Sequence, residues 1–471
     1  MNNAEDRSAG ERETSRRSFL ASCSGMGLAR RARGSEPPAP NLLVLLTDQQ
    51  HAGMMSCTGN RWLKTPAMDR LAASGTRFEL AYSANPVCVP ARTSMMTGRY
   101  PGFFGFDSNA APKRAPQERD LNSAMGNVFR AAGYRTVYGG KTHWPRPMNP
   151  ESIGFEVLTA DERDGLADRC AGFLAEKQDR PFLLVASFIN PHDICYMAID
   201  AYTQANRLPV MYPNSTVERQ RVAEAQGWPA GVSRQEFFAR LCPPLPANHG
   251  PTSDEPAALG RFEGFRGWVR RHWNEEQWRL HRWAYSRLTE RVDAEIGRVL
   301  EALRRTGQER NTVVVFTSDH GDLDSAHGFE HKSLPYEEAA RVPFLVSRPG
   351  HIPSGKVDRR RLVSAGVDLL PTLCDFAGIE PPAGLPGRSV RSLASGRVPA
   401  DWRRDLLIEF TGGRCLRSSR YKYAVWEGGQ PGEMLIDMEK DPGEMTNLAG
   451  HPAAAPILAD HRRRLKLYPK G

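Results

Sequence analysis

Residues 41–47, with the sequence NLLVLLT, form a run of branched apolar residues without a charge or a glycine. Three later stretches have the same texture: residues 181–189 (PFLLVASFI), 311–317 (NTVVVFT) and 342–347 (VPFLVS). Apolar runs that do not alternate with polar residues are typical of strands buried on both faces of a parallel sheet. The four runs therefore predict strands of one central, mostly parallel sheet.

Helical patterns lie between these runs. The clearest has its apolar residues at spacings of 4, 4, 3 and 4, with Arg and Glu at the other positions: Leu288, Val292, Ile296, Val299 and Leu303. This spacing is that of an amphipathic helix with one buried face. Strands that alternate with such helices predict an α/β fold, in which a large central, mostly parallel sheet is sandwiched by helices.

Polar side chains follow three of the four runs. Asp48 and Gln49 come after the first run, His192 after the second, and Asp319 and His320 after the third. In open α/β sheets, ligands bind beyond the carboxyl ends of the strands, where side chains from separate strands meet. The sequence therefore predicts a metal-binding or acid–base site at this edge of the sheet.

The composition narrows the class of protein. The chain has 471 residues, with 63 Lys and Arg against 54 Asp and Glu, a formal net charge of +9. Its apolar content of 40% and charged content of 25% argue against disorder over most of its length. No apolar run approaches the roughly 18 residues of a membrane-spanning helix, so no transmembrane anchor is expected. The arginine excess is thinly spread and accompanies no nucleic-acid motif or metal-finger spacing, so we expect neither nucleic acid as a partner nor a zinc module.

Residues 1–38 do not have the pattern of a packed core. Residues 15–20 (SRRSFL) resemble the twin-arginine export signal, and residues 37–40 (PPAP) predict a short stiff linker. This segment predicts export to the periplasm, where pairs of the otherwise unassigned cysteines become candidates for disulfides. The alternative is a disordered Arg/Ser-rich leader on a cytoplasmic protein.

The rest of the chain is predicted to divide near residue 384. Residues 39–384 contain the four apolar runs and form the main domain; within it, residues 200–274 are rich in Pro and Asn and predict a long functional loop. Residues 385–471 consist of shorter segments. Residues 414–426 (RCLRSSRYKYAVW) predict strands of a small antiparallel sheet, and the last twenty residues predict a basic helix.

Residues 88–99 (CVPARTSMMTGR) resemble the signature C-x-P-x-R-x-x-x-L-T-G-R of the type I sulfatases, an arylsulfatase-like family of the alkaline phosphatase superfamily. Met96 stands where leucine is usual. The resemblance implies an alkaline phosphatase-like fold and a sulfate-ester hydrolase whose Cys88 is converted to formylglycine by a maturation enzyme. In that family one hydroxyl of the hydrated aldehyde attacks sulfur, giving a covalent sulfo-enzyme, and the second hydroxyl then expels sulfate.

Further segments resemble landmarks of the same family in the same order along the chain. They are residues 48–49 (DQ), 141–143 (KTH), 190–192 (NPH), 319–332 (DHGDLDSAHGFEHK), 336–343 (YEEAARVP), 368–373 (DLLPTL) and 437–448 (DMEKDPGEMTNL). The resemblance therefore extends over essentially all of the chain from residue 41 to about residue 448.

This resemblance implies a metal site. Its ligands are Asp48, Gln49, Asp319 and His320, together with an oxygen of the modified Cys88. Such oxygen-rich sites suit Ca²⁺. Many sulfatases have a second aspartate at the position of Gln49 and an asparagine at that of His320. The first difference removes a charge and the second adds an imidazole, so Mg²⁺ and Mn²⁺ remain alternatives.

The resemblance also implies catalytic roles. Arg92 holds the hydrated aldehyde, with a surface salt bridge as the alternative. Lys141 and Lys332 are two of only ten lysines in the chain, and an ammonium suits a sulfate oxygen. Lys332 and His192 bind sulfate and protonate the leaving group, unless His192 is only a hydrogen-bonded loop histidine. His143 takes the proton that releases sulfate. His327 contacts substrate or shapes its loop and is not counted among the catalytic residues.

A sulfated carbohydrate or another small sulfate ester is the expected substrate. Trp268, Trp273 and several arginines between residues 200 and 274 suit sugar faces and neighbouring anions, unless they only pack that segment. Two other functions remain open. One is a phosphonate or phosphodiester hydrolase of the same superfamily; the other is an inactive sulfatase-like binding protein in which Cys88 stays unmodified.

Overall fold

Residues 41–47 belong to a strand in the middle of an eight-stranded sheet in the computed structural model, which describes residues 39–106, 108–261, 263–427 and 432–468. The strands of the main domain are β1 (Asn41–Asp48), β2 (Gly75–Phe78), β3 (Ala81–Tyr82), β4 (Arg135–Gly140), β5 (Glu156–Thr159), β6 (Phe182–Pro191), β7 (Thr312–Ser318), β8 (Phe344–Ser347), β9 (Lys356–Asp358) and β10 (Val363–Ser364). The large sheet has the order β5–β4–β6–β1–β7–β8–β2–β9, and β3 pairs with β10 separately. Because β5, β4, β6, β1 and β7 are mutually parallel, their carboxyl ends share one edge.

Three of the four apolar runs are the predicted parallel strands β1, β6 and β7. The fourth run differs, since β8 pairs antiparallel with both β7 and β2. Between β7 and β8 the only α-helix in the described residues is a single turn, Glu337–Ala340. Without a crossover helix to carry the chain back to the other end of the sheet, β8 starts at the edge where β7 ends.

The two faces of β1 belong to two different cores. Leu42, Val44 and Leu46 pack in one apolar cluster, whereas Leu43 and Leu45 pack in the other. Alternate side chains of a strand point to opposite faces of its sheet, so β1 is covered on both sides. This arrangement confirms the predicted α/β sandwich.

Helices cover both faces of the sheet. In chain order they are α1 (Pro66–Ala73), α2 (Cys88–Thr97), α3 (Glu118–Asn122), α4 (Met125–Ala131), α5 (Leu166–Ala175), α6 (Cys195–Ala205), α7 (Thr216–Gln226), α8 (Arg234–Glu236), α9 (Gly264–His272), α10 (Glu275–Arg305), α11 (Glu337–Ala340), α12 (Leu369–Ala377), α13 (Arg391–Ala394) and α14 (Ala455–Leu465). The predicted amphipathic helix is α10, whose Val292, Ile296, Val299 and Leu303 pack in the same core as Leu43.

Residues 200–274 are less irregular than the sequence predicts. They contain the end of α6, all of α7, α8 and α9, and a π-helical turn at Phe237–Leu241. Val222 and Ala225 of α7 pack against Ala284 and Leu288 of α10. These short helices depend on tertiary packing for stability, which local sequence patterns do not reveal.

The C-terminal part contains the predicted small antiparallel sheet. Its strands β11 (Asp405–Phe410), β12 (Gly413–Ser418), β13 (Tyr421–Trp426) and β14 (Gly432–Asp437) pair in sequence order, and α14 packs against them through Leu458 and Leu465. The chain from Ala39 to Gly471 forms one compact unit. A domain boundary at residue 384 therefore stays a prediction.

Three further predictions concern the ends and the cysteines of the chain. The twin-arginine-like segment lies outside the described residues. No helix within the described ranges has both the length and the apolar character of a membrane span. The seven cysteines in those ranges are all free thiols, so the structure describes no disulfide there.

Candidate active site

Four parallel strands deliver polar side chains to one edge of the sheet. β1 ends at Asp48, and Lys141, His192 and Asp319 directly follow β4, β6 and β7. Lys141 Nζ lies 2.7 Å from Asp48 Oδ2, and the backbone N–H of Gln49 donates to Asp319 Oδ1 at 3.1 Å. These contacts join the ends of β4, β1 and β7. The carboxyl edge thus holds a continuous polar cluster.

Cys88 is the first residue of α2, and its side chain is fully buried. Its Sγ lies 2.9 Å from Lys332 Nζ and 3.2 Å from His320 Nε2. His143 and His192 are also close enough to interact electrostatically with the thiol. The amino end of a helix adds a favourable field for negative charge. The fold therefore surrounds the Cys88 side chain with proton donors and cations.

The charges around Cys88 favour an anion at this point. Burial by itself raises the pKa of the thiol, but Lys332, His320 and Lys141 outweigh it and hold the pKa well below its ordinary value. Conversely, burial alone lowers the pKa of Lys332, but the negative charge of Cys88 raises it above its ordinary value. The surroundings of the Cys88 side chain therefore favour a negative charge at this position.

Arg92 lies one turn after Cys88 in α2 and is 1% exposed, so it is not in a surface salt bridge. Its Nε donates to Asp319 Oδ2 at 2.8 Å and its Nη2 to Asp48 Oδ2 at 3.0 Å. Its Nη1 donates to the carbonyl oxygen of Lys141 at 3.0 Å and to Ser187 Oγ at 2.8 Å. Arg92 thereby positions both carboxylates and anchors α2 to the strand ends.

Four buried side chains form a cluster suited to a cation. Asp48, Cys88, Asp319 and His320 each place one ligand atom within 4.8 Å of the others. Burial and then the nearby charge of Asp48 raise the pKa of Asp319, and a bound cation would relieve this repulsion. Two carboxylates with one imidazole fit a divalent metal, either an oxygen-preferring one or a first-row transition metal.

Gln49 lies in the same cluster, in a left-handed backbone conformation with φ of 67°. Its Oε1 accepts hydrogen bonds from Lys332 Nζ at 2.8 Å and Cys195 Sγ at 3.1 Å. Its Nε2 donates to Asp322 Oδ2 at 2.6 Å. The amide oxygen is thus held beside the ammonium of Lys332, and its role as a metal ligand stays a prediction.

His192 faces Cys88 as a neutral imidazole. Burial, followed by the charges of Lys141 and Lys332, lowers the pKa of His192 to about 3. Its Nδ1 is buried and has no hydrogen-bond partner within the described ranges. This nitrogen is therefore available to a bound molecule. The choice between a catalytic histidine and a hydrogen-bonded loop histidine stays a prediction.

Three polar residues beside the cluster were not among those predicted from sequence: Arg266, Glu330 and His331. Glu330 is 2% exposed, and neither of its carboxylate oxygens has a hydrogen-bond partner among the described residues. His331 Nδ1 lies 3.5 Å from Glu330 Oε2. The buried Nε of Arg266 likewise has no partner in the part of the chain that is described.

Arg266 and His331 interact electrostatically with Cys88, and Glu330 with Lys332, so all three belong to the charged surroundings of the site. Burial and then Asp322 raise the pKa of Glu330 well above its ordinary value, against the opposing charges of Arg266 and Lys332. Burial lowers the pKa of Arg266, against the charges of Glu330, Cys195 and Cys88. A sequence signal existed for Glu330 and His331, since they directly precede Lys332. Arg266 lies in α9, where the sequence indicated only several arginines as a group.

The side chain of His327 contacts Thr252 and Tyr336 rather than the residues around Cys88. Its Nδ1 lies 3.2 Å from Thr252 Oγ1, and its ring stacks on Tyr336 with the centroids 3.8 Å apart. It forms a second group with Glu338 and Glu444, whose ligand-type atoms lie within 4.8 Å of one another. These contacts agree with a residue that shapes its loop.

Two family models match the chain. Residues 40–379 match the model described as Sulfatase. Residues 325–470 match the model described as N-sulphoglucosamine sulphohydrolase, C-terminal. The two matches overlap and together extend from residue 40 to residue 470.

Individual proteins are similar over the same span. The chain is 30% identical over 457 residues to a Delta 4,5-hexuronate-2-O-sulfatase of Bacteroides thetaiotaomicron. The match covers 91% of this chain and 88% of that protein. The chain is also similar to the structure of a 2-O GAG sulfatase, with a TM-score of 0.76 and 28% identity. This match covers 91% of this chain and 92% of the other chain. The phosphonate monoester hydrolase of Agrobacterium radiobacter shares the fold, with a TM-score of 0.69 and 22% identity. This match covers 90% of this chain and 94% of the other chain.

Proposed function

Because this chain belongs to the sulfatase family and is a sulfuric ester hydrolase, we propose that it hydrolyses sulfate esters of anionic sugars through a formylglycine made from Cys88. One observation supports this mechanism above the others. Cys88 stands at the amino end of a buried helix, with Lys332 Nζ at 2.9 Å and His320 Nε2 at 3.2 Å from its Sγ. A structural cysteine has no need of two cationic partners.

Maturation has to precede the final packing of α2. Cys88 is 0% exposed, and every residue of α2 is buried. A maturation enzyme has no access to such a thiol in the folded protein. We therefore expect the oxidation to formylglycine to occur on an unfolded or partly folded chain.

In the proposed first step, a hydroxyl of the hydrated aldehyde, which occupies the place of Cys88 Sγ, passes its proton to solvent and attacks the sulfur of the ester as an oxyanion. The bond from sulfur to the leaving oxygen breaks, and that oxygen takes a proton from Lys332, assisted by His192; Lys332 then regains a proton from solvent. Lys332 Nζ lies 2.9 Å from Cys88 Sγ, which places its ammonium beside the sulfate group under attack.

In the second step, the remaining hydroxyl loses its proton to His143, which is among the residues that lower the pKa at the Cys88 position. The carbon–oxygen bond to the sulfate group then breaks, which restores the aldehyde and releases sulfate. Water adds to the aldehyde to regenerate the hydrate. One ester and one water thus give one alcohol and one hydrogen sulfate.

Asp48, Asp319 and His320 are the proposed metal ligands, with Gln49 and the modified Cys88 completing the set. Ca²⁺ is the proposed metal, with Mg²⁺ and Mn²⁺ as alternatives. When bound, a divalent cation supplies positive charge for the sulfate oxygens and for the nucleophile. Arg92 holds Asp48 and Asp319 in fixed positions for this purpose.

The proposed substrate is a sulfated sugar that carries a second anionic or hydroxyl group. Relatives are named for hexuronate-2-O-sulfate and N-acetylglucosamine-6-O-sulfate, at 30% and 25% identity. In this chain Arg266 Nε and both carboxyl oxygens of Glu330 have no hydrogen-bond partner among the described residues. A guanidinium suits an anion, and a carboxyl group exchanges hydrogen bonds with sugar hydroxyls. These two residues are therefore proposed to select the sugar.

Two measurements test the proposed function. Mass spectrometry of the tryptic peptide 78–92 from the native host should show formylglycine in place of Cys88, and an intact thiol there would contradict catalysis. Hydrolysis of 4-nitrophenyl sulfate should exceed that of an aryl phosphonate ester with metal present. A strong preference for the phosphonate would favour the alternative hydrolase of the same superfamily. Desulfation of defined sulfated mono- and disaccharides then identifies the sugar.

Export is proposed for residues 1–38, on the basis of residues 15–20 (SRRSFL). A reporter fused behind residues 1–38 should reach the periplasm of a bacterial host. Replacing both Arg16 and Arg17 by Lys should retain it in the cytoplasm. Export that survives this double change would contradict the twin-arginine route.

A further inference from the structure

A groove of about 890 Å³ lies beside the C-terminal sheet, and none of the proposed catalytic or metal-binding residues lines it. Its walls come from the chain near residues 360 and 400, from β12 and β13, and from α14. It contains one carboxylate, Asp460, and six arginines: Arg360, Arg361, Arg403, Arg404, Arg420 and Arg464. We call this feature the arginine groove.

Some of these arginines hold the structure together. Arg403 pairs with the buried Asp368 at 2.5 Å, and Arg420 pairs with Asp437 at 2.7 Å. Arg464 also has carboxylate partners. The charges of these three arginines are therefore largely neutralised within the protein.

The other three arginines have no such partner. Arg360, Arg361 and Arg404 form no ion pair with any residue in the described ranges. Arg360 and Arg404 are exposed, and Arg361 is half-buried. Three uncompensated guanidinium groups at one groove attract a ligand with several negative charges. The planar fork of arginine binds sulfate and carboxylate oxygens in pairs.

The aromatic residues of the groove argue against nucleic acid. Arg403 lies over the ring of Trp402 at 5.2 Å, and Arg420 lies over the ring of Tyr421 at 5.1 Å. Trp402 Nε1 also donates to the carbonyl oxygen of Leu362 at 3.1 Å. Single-stranded nucleic acids are bound through free aromatic faces on which bases stack. Here a guanidinium group already lies over each ring, which leaves less aromatic surface for a base, whereas the free arginines suit sulfate groups.

We propose that the arginine groove binds a sulfated segment of an anionic polysaccharide, at a site separate from that of hydrolysis. The volume of the groove lies within the range of ligand sites and accommodates a short oligosaccharide. A polymer held there keeps its other sulfate esters at a raised concentration around the protein. This inference rests on the proposed function for the nature of the polymer.

The test compares a triple charge reversal with a matched control. The groove variant is Arg360→Glu, Arg361→Glu and Arg404→Glu. The control is Arg119→Glu, Arg169→Glu and Arg305→Glu, three exposed arginines that form no ion pair with the described residues and lie outside the groove. Both are made in the Cys88→Ser protein, and binding of a fluorescein-labelled heparin hexasaccharide is measured by anisotropy. Three lost contacts, each worth a factor of two to three, should weaken binding by about tenfold in the groove variant only.

Catalysis provides the second part of the test, in proteins that retain Cys88. The groove variant should raise KM for a sulfated polysaccharide while kcat/KM for 4-nitrophenyl sulfate stays within about twofold of the parent, a margin well under 1 kcal/mol. Unchanged hexasaccharide affinity would overturn the proposal. Equal binding of a single-stranded DNA 20-mer, with equal loss in the groove variant, would also overturn the assignment to sugars. Failure of the proposed function would abolish ester hydrolysis in every variant and leave the binding measurement readable.

Discussion

Lys332 Nζ lies 2.9 Å from Cys88 Sγ, although 244 residues separate the two in the chain. The segment that follows β7 folds back over the amino end of α2 and brings the ammonium to the nucleophile. Lys332 is 4% exposed, so water does not screen this contact. The pair therefore links two parts of the sulfatase-like sequence that lie far apart along the chain.

Replacing Lys332 by Met should lower kcat for 4-nitrophenyl sulfate by a factor of about 10² to 10⁴, because it removes the proposed proton donor. The measurement is the initial rate with metal present, after formylglycine content has been confirmed in the peptide 78–92. Lys466→Met is the control, since Lys466 is exposed at the end of α14. A Lys332→Met rate within threefold of the parent would exclude Lys332 from catalysis.

Removal of a divalent metal should lower the thermal unfolding midpoint as well as the activity. Without the cation, the carboxylates of Asp48 and Asp319 repel each other in a buried site. Arg92, which pairs with both, offsets part of this repulsion. Adding Ca²⁺ to chelated protein should raise the midpoint, since a ligand that binds only the folded state stabilises it. Asp319→Asn should reduce this shift. An unchanged midpoint for the parent with Ca²⁺, Mg²⁺ and Mn²⁺ would show that the cluster holds none of them.

Arg266→Gln should affect substrates unequally. For a sulfated sugar that carries a carboxylate, we expect KM to rise by about tenfold, which corresponds to the loss of one charged hydrogen bond. For 4-nitrophenyl sulfate, which lacks the second anion, kcat/KM should stay within twofold. Arg270→Gln is the control on the same helix, because Arg270 is already paired with Glu255 at 2.9 Å. Equal losses on both substrates would indicate a structural role for Arg266.

Lys422→Met should destabilise the protein, and more at high pH than at low pH. Lys422 is fully buried, with its Nζ 2.8 Å from Glu444 Oε1 and 3.1 Å from Glu337 Oε1. Removing the cation leaves buried carboxylates uncompensated, which costs about 3–5 kcal/mol of unfolding free energy.

The pKa values set the direction of this pH dependence. Burial opposes ionisation of Glu337, but Lys422, Arg417 and Arg341 lower its pKa to about 2. The pairing of Glu337 with these cations therefore stabilises the parent protein fully at any pH above the ordinary glutamate pKa. This stabilisation is lost as the pH falls towards 2. Burial raises the pKa of Glu444 to about 7, so its ionisation costs stability as pH rises through 7.

In Lys422→Met both carboxyl groups should gain protons more readily, so the loss of stability should be smaller at pH 5.5 than at pH 8. Thermal unfolding midpoints at the two pH values check this expectation, with Lys466→Met as the exposed control. A loss of stability that is equal at both pH values would contradict the assigned role of the buried charges.

The apolar runs and the polar residues that follow them were sufficient to predict the central sheet and the edge where the site lies. Residues 41–47 show why, since a strand buried on both faces has a local pattern that few other structures share. The strand β4 was less apparent, because residues 135–140 (RTVYGG) contain only one branched apolar residue. The helices of residues 200–274 were missed for a related reason, since their stability comes from packing against α10.

Order along the chain was enough to identify the sulfatase chemistry, because residues 88–99 and the segments that match the family are local patterns. Only the tertiary structure decided what each side chain contacts. It showed that Arg92 donates hydrogen bonds to Asp48 and Asp319, contacts that the sequence did not predict, while its role in holding the hydrated aldehyde stays a prediction. It also revealed buried polar atoms of Arg266 and Glu330 that have no hydrogen-bond partner among the described residues. Burial and pairing depend on contacts between residues far apart in the chain, and these contacts exist only once the sheet and its helices have assembled.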